Sequence, residues 1–280
     1  MKNVLYIDKP AGMTSFDVCF KLRKVLNTKK IGHTGTLDPN ATGVMIVLFD
    51  KATKAGQFLV SDSKEYETRV LFGIETDTLD IDGNILRKQK YLLPDKQKIS
   101  NVLQSFLGES MQTVPLTSAV KVEGKRLYQY QHENKEVELP QRKICVDEIE
   151  LLEMFEDGFS FHCKVSSGTY IRSLVRDILA ELGICGTVSQ LRRTAIDAIK
   201  VDQCDTLQEV LDGNYHLHDL KEILERRYLV YETERPEDIR NGKVIYIDCK
   251  EEMIMITYKG EILAIYRKDN NCYRCVRGLF

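Results

Sequence analysis

The stretch from residue 142 to residue 183 constrains the fold more than any other part of the chain. Two runs with strand character, 142 to 153 and 159 to 166, flank the turn formers Asp157-Gly158 and therefore read as an antiparallel pair. They lead into a helical pattern over 170 to 182, with Ile171, Leu174, Val175, Ile178, Leu179 and Leu182 at three- and four-residue spacing and Gly183 as its stop. A helix with so broad an apolar stripe must bury it against another layer. Around this unit, residues 3 to 7 read as a short strand, and Ser15 as the N-cap of a helix with Cys19, Leu22 and Leu26 on one face. Residues 43 to 49 form an apolar strand. In 64 to 73, Tyr66, Thr68, Val70 and Phe72 alternate with Glu65, Glu67 and Arg69, the period of a half-buried strand. A helix is predicted from about 95 to 107, ending near Gly108.

These elements follow no regular βαβ rhythm and no internal repeat, which excludes a doubly wound sheet and a solenoid. The expectation is an α+β fold on a mixed, mostly antiparallel sheet. From residue 229 the texture changes to short strands with turns at Asn241-Gly242 and Lys259-Gly260. That change predicts a large domain over 1–228 and a small β-rich domain over 229–280.

Composition narrows the function classes. Hydrophobic residues at 43% and charged residues at 29% are those of an ordinary soluble protein, and a net charge of −2 gives no global electrostatic reason to bind nucleic acid. Local charge still counts: KLRKVLNTKK, residues 21 to 30, carries five Lys or Arg and no acid. Such a run is ordinarily a solvated helix face, so its weight comes from what lies next to it. The amino terminus has no apolar signal core and no later segment has the unbroken apolar run of a membrane span, so a cytoplasmic protein is expected. Eight scattered cysteines read as reduced thiols. The C-x-x-C at Cys272 and Cys275 has no second pair and no nearby histidines to complete a zinc site.

GHTGTLDPNATG, residues 32 to 43, looks like a phosphate-gripping loop but lacks the lysine of G-x-x-x-x-G-K-[ST] and the spacing of G-x-G-x-x-G. Its centre is a carboxylate, Asp38, which would repel a phosphate. Gly32 and Gly35 can adopt angles closed to other residues, and Pro39 fixes the backbone just after the acid. A rigidly presented acid is a nucleophile or general base; the alternative is an ordinary structural turn. TDTLDIDGN, residues 76 to 84, approaches EF-hand register. Counting back from Gly83, however, Thr78 holds the first ligand position and Gln89 the twelfth, where a bidentate Glu is required, so an acid-rich turn beside a functional site fits better than calcium. In SSGTYIRSL, residues 166 to 174, Arg172 falls on the opening turn of the apolar helix, where the dipole disfavours a cation unless an anion offsets it. That anion is either Asp38 or the partner in a purely structural salt bridge.

Taken together, KPAGMTSFDV (9 to 18), GHTGTLDPNATGVM (32 to 45), KEYETRVLFGIETDTLDIDG (64 to 83), VPLTSAVKVEGKRLY (114 to 128), GTYIRSL (168 to 174) and LRRT (191 to 194) resemble, in order, the bacterial tRNA pseudouridine-55 synthases of the TruB family. The resemblance implies a pseudouridine synthase catalytic domain followed by a small PUA-like RNA-binding domain. It implies isomerisation of a uridine in the T arm of tRNA after base flipping, by a monomer that needs neither metal, organic cofactor nor obligatory protein partner. By motif, Asp38 is the nucleophile, Tyr66 the ring beside the target base and a proton-transfer group, and Arg172 the partner of Asp38. His33 helps displace the target nucleotide, and Tyr170 and Leu191 line the substrate pocket.

The chain departs from the family pattern at Met45, where leucine is usual, and at Gln131, His132 and Asn134, where an Ala-Arg pair and a glycine are usual. The first change conserves volume; the others alter turn chemistry and one cationic contact. Three further readings remain open on the sequence: an RNA-guided synthase that requires partner proteins, a tRNA folding helper in which catalysis is secondary, and a carbohydrate hydrolase. The last lacks a second acid in the loop.

Overall fold

The computed structural model describes residues 2–133 and 135–280, and Asn134 lies outside the described residues. The chain folds into two compact units, one made of Met1–Val60 with Val201–Phe280 and the other of Ser61–Lys200.

In the first unit, β1 (Lys2–Lys9) leads to α1 (Ser15–Val25), then β2 (Ile31–Thr34) and β3 (Thr42–Phe49). Strand β3 pairs antiparallel with both β1 and β2. Thr14, not Ser15, caps α1: its hydroxyl accepts the Asp17 N–H while the Asp17 carboxylate accepts the Thr14 N–H, a complete capping box. The helix then buries Val18, Cys19 and Leu22 against Leu5, Ile7, Met45, Val47 and Phe49.

The second unit is an antiparallel sheet. Its strands are β4 (Ser63–Phe72), the small hairpin β5 (Ile74–Thr76) and β6 (Ile85–Lys88), β7 (Gly108–Thr113), the short hairpin β8 (Lys121–Val122) and β9 (Lys125–Arg126), β10 (Gln141–Phe155), β11 (Gly158–Ser166) and β12 (Gly186–Ile196). The main order is β12-β4-β11-β10-β7, every neighbour antiparallel. Helices α2 (Lys96–Ser105) and α4 (Ile171–Leu182) pack on it, with the short α3 (Leu127–His132) between them in sequence. The apolar stripe read from the sequence is the buried face of α4, and Gly183 ends that helix in the left-handed region at φ +72°.

After β13 (Ile199–Lys200), which pairs with β12 at the end of the second unit, the chain returns to the first through β14 (Asp205–Thr206), α5 (Leu207–Leu211), β15 (His218–Asp219) and α6 (Leu220–Glu225). Strand β14 is parallel to β1, which makes that sheet mixed. The four-stranded carboxy-terminal sheet begins at Leu229: β16 (Leu229–Glu232), α7 (Pro236–Arg240), β17 (Met253–Tyr258), β18 (Glu261–Asp269) and β19 (Cys272–Gly278), in the order β16-β17-β18-β19 around Ile254, Ile256, Ala264, Tyr266 and Tyr273. The expected turns fall at Gly242 and at Lys259-Gly260, all with positive φ.

The eight cysteines are free thiols, of which Cys19, Cys163 and Cys185 are buried and the other five, including Cys272 and Cys275, are half-buried. Desolvation pushes the Cys19 thiol up to about 11 and Cys163 higher still. No described helix is long and apolar enough to cross a membrane.

The β10–β11 hairpin turns at Asp157-Gly158, where Asp157 pairs with Arg69 at 2.9 Å and accepts the Phe72 N–H at 2.8 Å. Gly158 lies so close to β4 that a Cβ built on it would sit 1.9 Å from the Val70 carbonyl oxygen. Gly158→Ala is therefore expected to destabilise the protein by about 3 kcal/mol, read as a lower urea midpoint at unchanged m-value. A wild-type midpoint would mean that the hairpin shifts to admit the methyl group.

Candidate active site

The loop that carries Asp38 joins β2 to β3, and its backbone is fastened from two sides. Lys9, at the end of β1, is completely buried. Its ammonium donates to the carbonyls of Pro10 (2.8 Å), Pro39 (2.9 Å) and Ala41 (2.8 Å). Charge-assisted bonds contribute about 1.5–3 kcal/mol each, so three of them offset the several kcal/mol that an isolated ammonium loses on leaving water. On the other side, the Ser15 hydroxyl accepts the Leu37 N–H at 2.9 Å and donates to the Leu37 carbonyl at 3.2 Å, which ties the first turn of α1 to the residue before Asp38. Gly12 N–H donates to Pro39 O at 3.0 Å, and Ala41 N–H closes a turn onto Asp38 O at 3.1 Å.

Of the two glycines expected to take unusual angles, Gly35 does so at φ +77° and Gly32 does not. Gly32 belongs to strand β2 instead, paired with Leu48. His33 lies on the same strand opposite Val47. The loop thus holds a half-buried carboxylate on backbone that cannot readily move.

The second unit holds the other predicted residues. Tyr66 is buried in the middle of β4, flanked in register by Cys163 on β11 and Arg193 on β12. Leu191 on β12 lies opposite Thr68, two residues along the same face of β4. Lys64 is on that face too. Burial pushes its ammonium down to about 8, nearby Arg193 acts in the same direction, and Asp197 opposes both. Tyr170 is the residue before α4, its backbone bracketed by the Gln112 side chain, which accepts the Tyr170 N–H at 2.8 Å and donates to its carbonyl at 3.1 Å. The Arg142 guanidinium lies 5.4 Å from the Tyr170 ring centroid.

Arg172, in the opening turn of α4, is 4% exposed. It donates from Nη1 to Thr78 O at 2.7 Å and from Nη2 to Thr117 O at 2.9 Å, while Asp80 Oδ2 lies 3.9 Å from its Nε. Asp80 thus places one carboxylate near the guanidinium at the positive end of the helix. The acid-rich loop is ordered from within: Thr78 donates to Asp80 Oδ1 at 2.7 Å, Asp82 N–H donates to the same oxygen at 3.1 Å, and Asp77 accepts from the Asn84 backbone at 2.9 Å and side chain at 3.0 Å. It is fixed to β12 through Ile81 N–H to Val188 O (3.1 Å) and Val188 N–H to Leu79 O (3.2 Å). Among the described residues no three His, Cys, Asp or Glu side chains are grouped as metal ligands.

A family model described as the N-terminal domain of TruB family pseudouridylate synthases matches residues 23–171. The chain belongs to the TruB family.

Related TruB proteins match it along most of its length. It is 34% identical to tRNA pseudouridine synthase B of Lactobacillus acidophilus, over 98% of this chain and 97% of that one. It is 36% identical to the protein of the same name from Streptococcus sanguinis, over 98% of each, and 44% identical to that of Alkaliphilus oremlandii, over 75% of this chain and 70% of the other. Among solved structures, a chain of a Cbf5-Nop10-Gar1 complex shares its fold with a TM-score of 0.73 at 24% identity, covering 100% of this chain and 85% of that one. A chain of an H/ACA RNP bound to a substrate RNA containing 2'-deoxyuridine does so with the same score at 23% identity.

Lys9 and Gln112 hold site backbone without any role foreseen from the sequence, while Ser15, expected as a cap, holds Leu37, and Asp80, expected in an acid-rich turn, lies near Arg172. Lys9 carries a signal, a lysine that follows the apolar run VLYI and Asp8 and immediately precedes a proline. Gln112 carries none, because its role depends on β7 pairing with β10 and lying near the start of α4. Asp80→Asn keeps the side chain's size but removes the charge beside Arg172. The pair is largely buried yet long, so the expected loss is about 1–2 kcal/mol, between that of a surface pair and that of a buried one, measured by urea unfolding. An unchanged midpoint would show that the guanidinium is held without the Asp80 charge.

Proposed function

We propose that this chain is a tRNA pseudouridine synthase that flips a uridine out of the T arm and isomerises it with Asp38 as nucleophile. The observation that carries the reading is a single carboxylate held on a loop pinned by Lys9 and Ser15. The family and the names of its relatives, tRNA pseudouridine synthase B, supply the substrate class.

The reaction breaks the N1–C1′ glycosidic bond, turns the uracil and rejoins it through C5; C5 gives up its proton and the freed N1 takes one up, so no atom is gained or lost overall. A uridine stacked in an RNA loop must first be extruded, at a cost of a few kcal/mol. Stacking on the Tyr66 ring and contacts to the RNA backbone offset that cost. Tyr66 is also the group assigned to proton transfer, and Arg172 the counter-charge to the Asp38 carboxylate. His33 helps to displace the nucleotide, while Tyr170 and Leu191 line the base pocket. Residues 229–280 are read as a small PUA-like RNA-binding domain, and the enzyme as a cytoplasmic monomer that acts without a partner protein or cofactor.

The test is incubation of purified protein with unmodified tRNA transcript, with pseudouridine mapped by carbodiimide treatment and primer extension. Wild-type protein is expected to give one T-arm signal. Asp38→Asn is expected to lose it while binding the transcript as tightly. Tyr66→Phe should bind by stacking and lose turnover. A signal that survives Asp38→Asn would remove the nucleophile, and wild-type turnover by Tyr66→Phe would remove the proton-transfer role.

A further inference from the structure

Helix α1 buries one side and leaves an unusual surface on the other. Phe16 and Phe20, one turn apart, are 61% and 62% exposed. The guanidinium of Arg23, one turn further on, lies 5.7 Å from the first ring centroid and 5.5 Å from the second. Arg23 Nε is buried without a hydrogen-bond partner, so the two aromatic faces are what the guanidinium is packed against. Lys21 and Lys24 flank this row, and Lys29 and Lys30 follow it before β2. None of these five cations forms an ion pair with a carboxylate among the described residues. The helix's one acid, Asp17, is tied into the capping box with Thr14.

Two exposed phenyl rings normally suggest an apolar partner. Here the surrounding charge argues otherwise, because five cations with no ion-pair partner among the described residues fit a polyanion. Aromatic faces beside cations match single-stranded nucleic acid, in which bases stack and phosphates are neutralised. The placement adds to this. Ser15, adjacent to Phe16, is hydrogen-bonded to Leu37 beside Asp38, so the row starts at the Asp38 loop and runs about 10 Å from Phe16 to Arg23.

We propose that the Phe16–Phe20–Arg23 face of α1 is a stacking platform for unpaired nucleotides adjoining the reacting uridine, with Lys21 and Lys24 on their phosphates. The proposal rests on the tRNA reading above and adds a second RNA-binding surface to it. Base stacking tolerates any sequence, so this face supplies affinity and register rather than base identity.

The test measures affinity for unmodified tRNA transcript and for an isolated T-arm stem-loop over a salt series. The proteins are wild type, Phe16→Leu with Phe20→Leu, and Lys21→Ala with Lys24→Ala. Leucine keeps an apolar surface but removes the π-face, and both phenylalanines are exposed, so folding is retained and is checked by circular dichroism. The double leucine variant is expected to bind both RNAs about tenfold more weakly for each base stacked, with an unchanged salt slope. The double alanine variant is expected to show a slope shallower by about 1 for each phosphate that the lysines no longer neutralise. A stem-loop with one abasic loop nucleotide should weaken wild type and leave the leucine variant unaffected at the position that stacks. Equal RNA affinity of the leucine variant and wild type overturns the platform and marks the rings as a protein-docking surface, while wild-type pseudouridine formation in the same preparation leaves the enzymatic reading standing. Wild-type protein that neither binds nor modifies the transcript overturns both.

Discussion

The buried ammonium of Lys9 is the interaction on which the Asp38 loop depends. A fully buried cation at the end of a central strand is tolerated because three backbone carbonyls converge on it. Two of those carbonyls, of Pro39 and Ala41, belong to the segment just after Asp38. The same bonds that solvate the lysine therefore fix the backbone of the acid. Ser15 does the equivalent for Leu37 on the other side. Between them the short glycine-containing loop is fastened on both sides, which is the preorganisation that the proposed nucleophile requires.

The second unit uses the same economy with different chemistry. A guanidinium rather than an ammonium sits at the opening of α4, and its planar fork suits two carbonyls from separate loops, those of Thr78 and Thr117, with Asp80 nearby. Gln112 aligns the preceding residue, Tyr170, through both backbone groups. The acid-rich turn, which in isolation resembles a failed calcium loop, serves as a brace that is satisfied by its own hydrogen bonds and anchored to β12.

Periodicity made the fold legible. The β10–β11 hairpin, the helix at Ile171–Leu182 and the half-buried strand at Ser63–Phe72 fall where spacing places them, because each buries one face and its sequence repeats accordingly. Local chemistry is less legible where residues compete for one role. Ser15 has the composition of a cap, but Thr14 has the capping partner Asp17, which frees the Ser15 hydroxyl to hold Leu37. Gly32 resembles a turn glycine, but its segment pairs with β3, and of the two only Gly35 takes a positive φ. The approach of Asp80 to Arg172 is not legible in sequence, because it arises only through the folding of a loop about ninety residues earlier in the chain. The aromatic pair on α1 is hidden by the apolar stripe of Cys19, Leu22 and Leu26, since a helix wheel marks what is buried and not what an exposed phenylalanine touches.

The most direct test of a pinned loop that presents one reactive acid is single-turnover pseudouridine formation by Lys9→Met, measured alongside its tRNA affinity and the hydrogen-exchange protection of β1 and β3. Methionine fills similar space but cannot donate to the three carbonyls. The expected result is intact strand protection, unchanged tRNA affinity and a rate lowered by about a hundredfold or more, the scale of loss for a misplaced reacting group. A wild-type rate in a variant whose loop amides at Gly12 and Ala41 exchange freely would contradict it, since Asp38 would then react without being held.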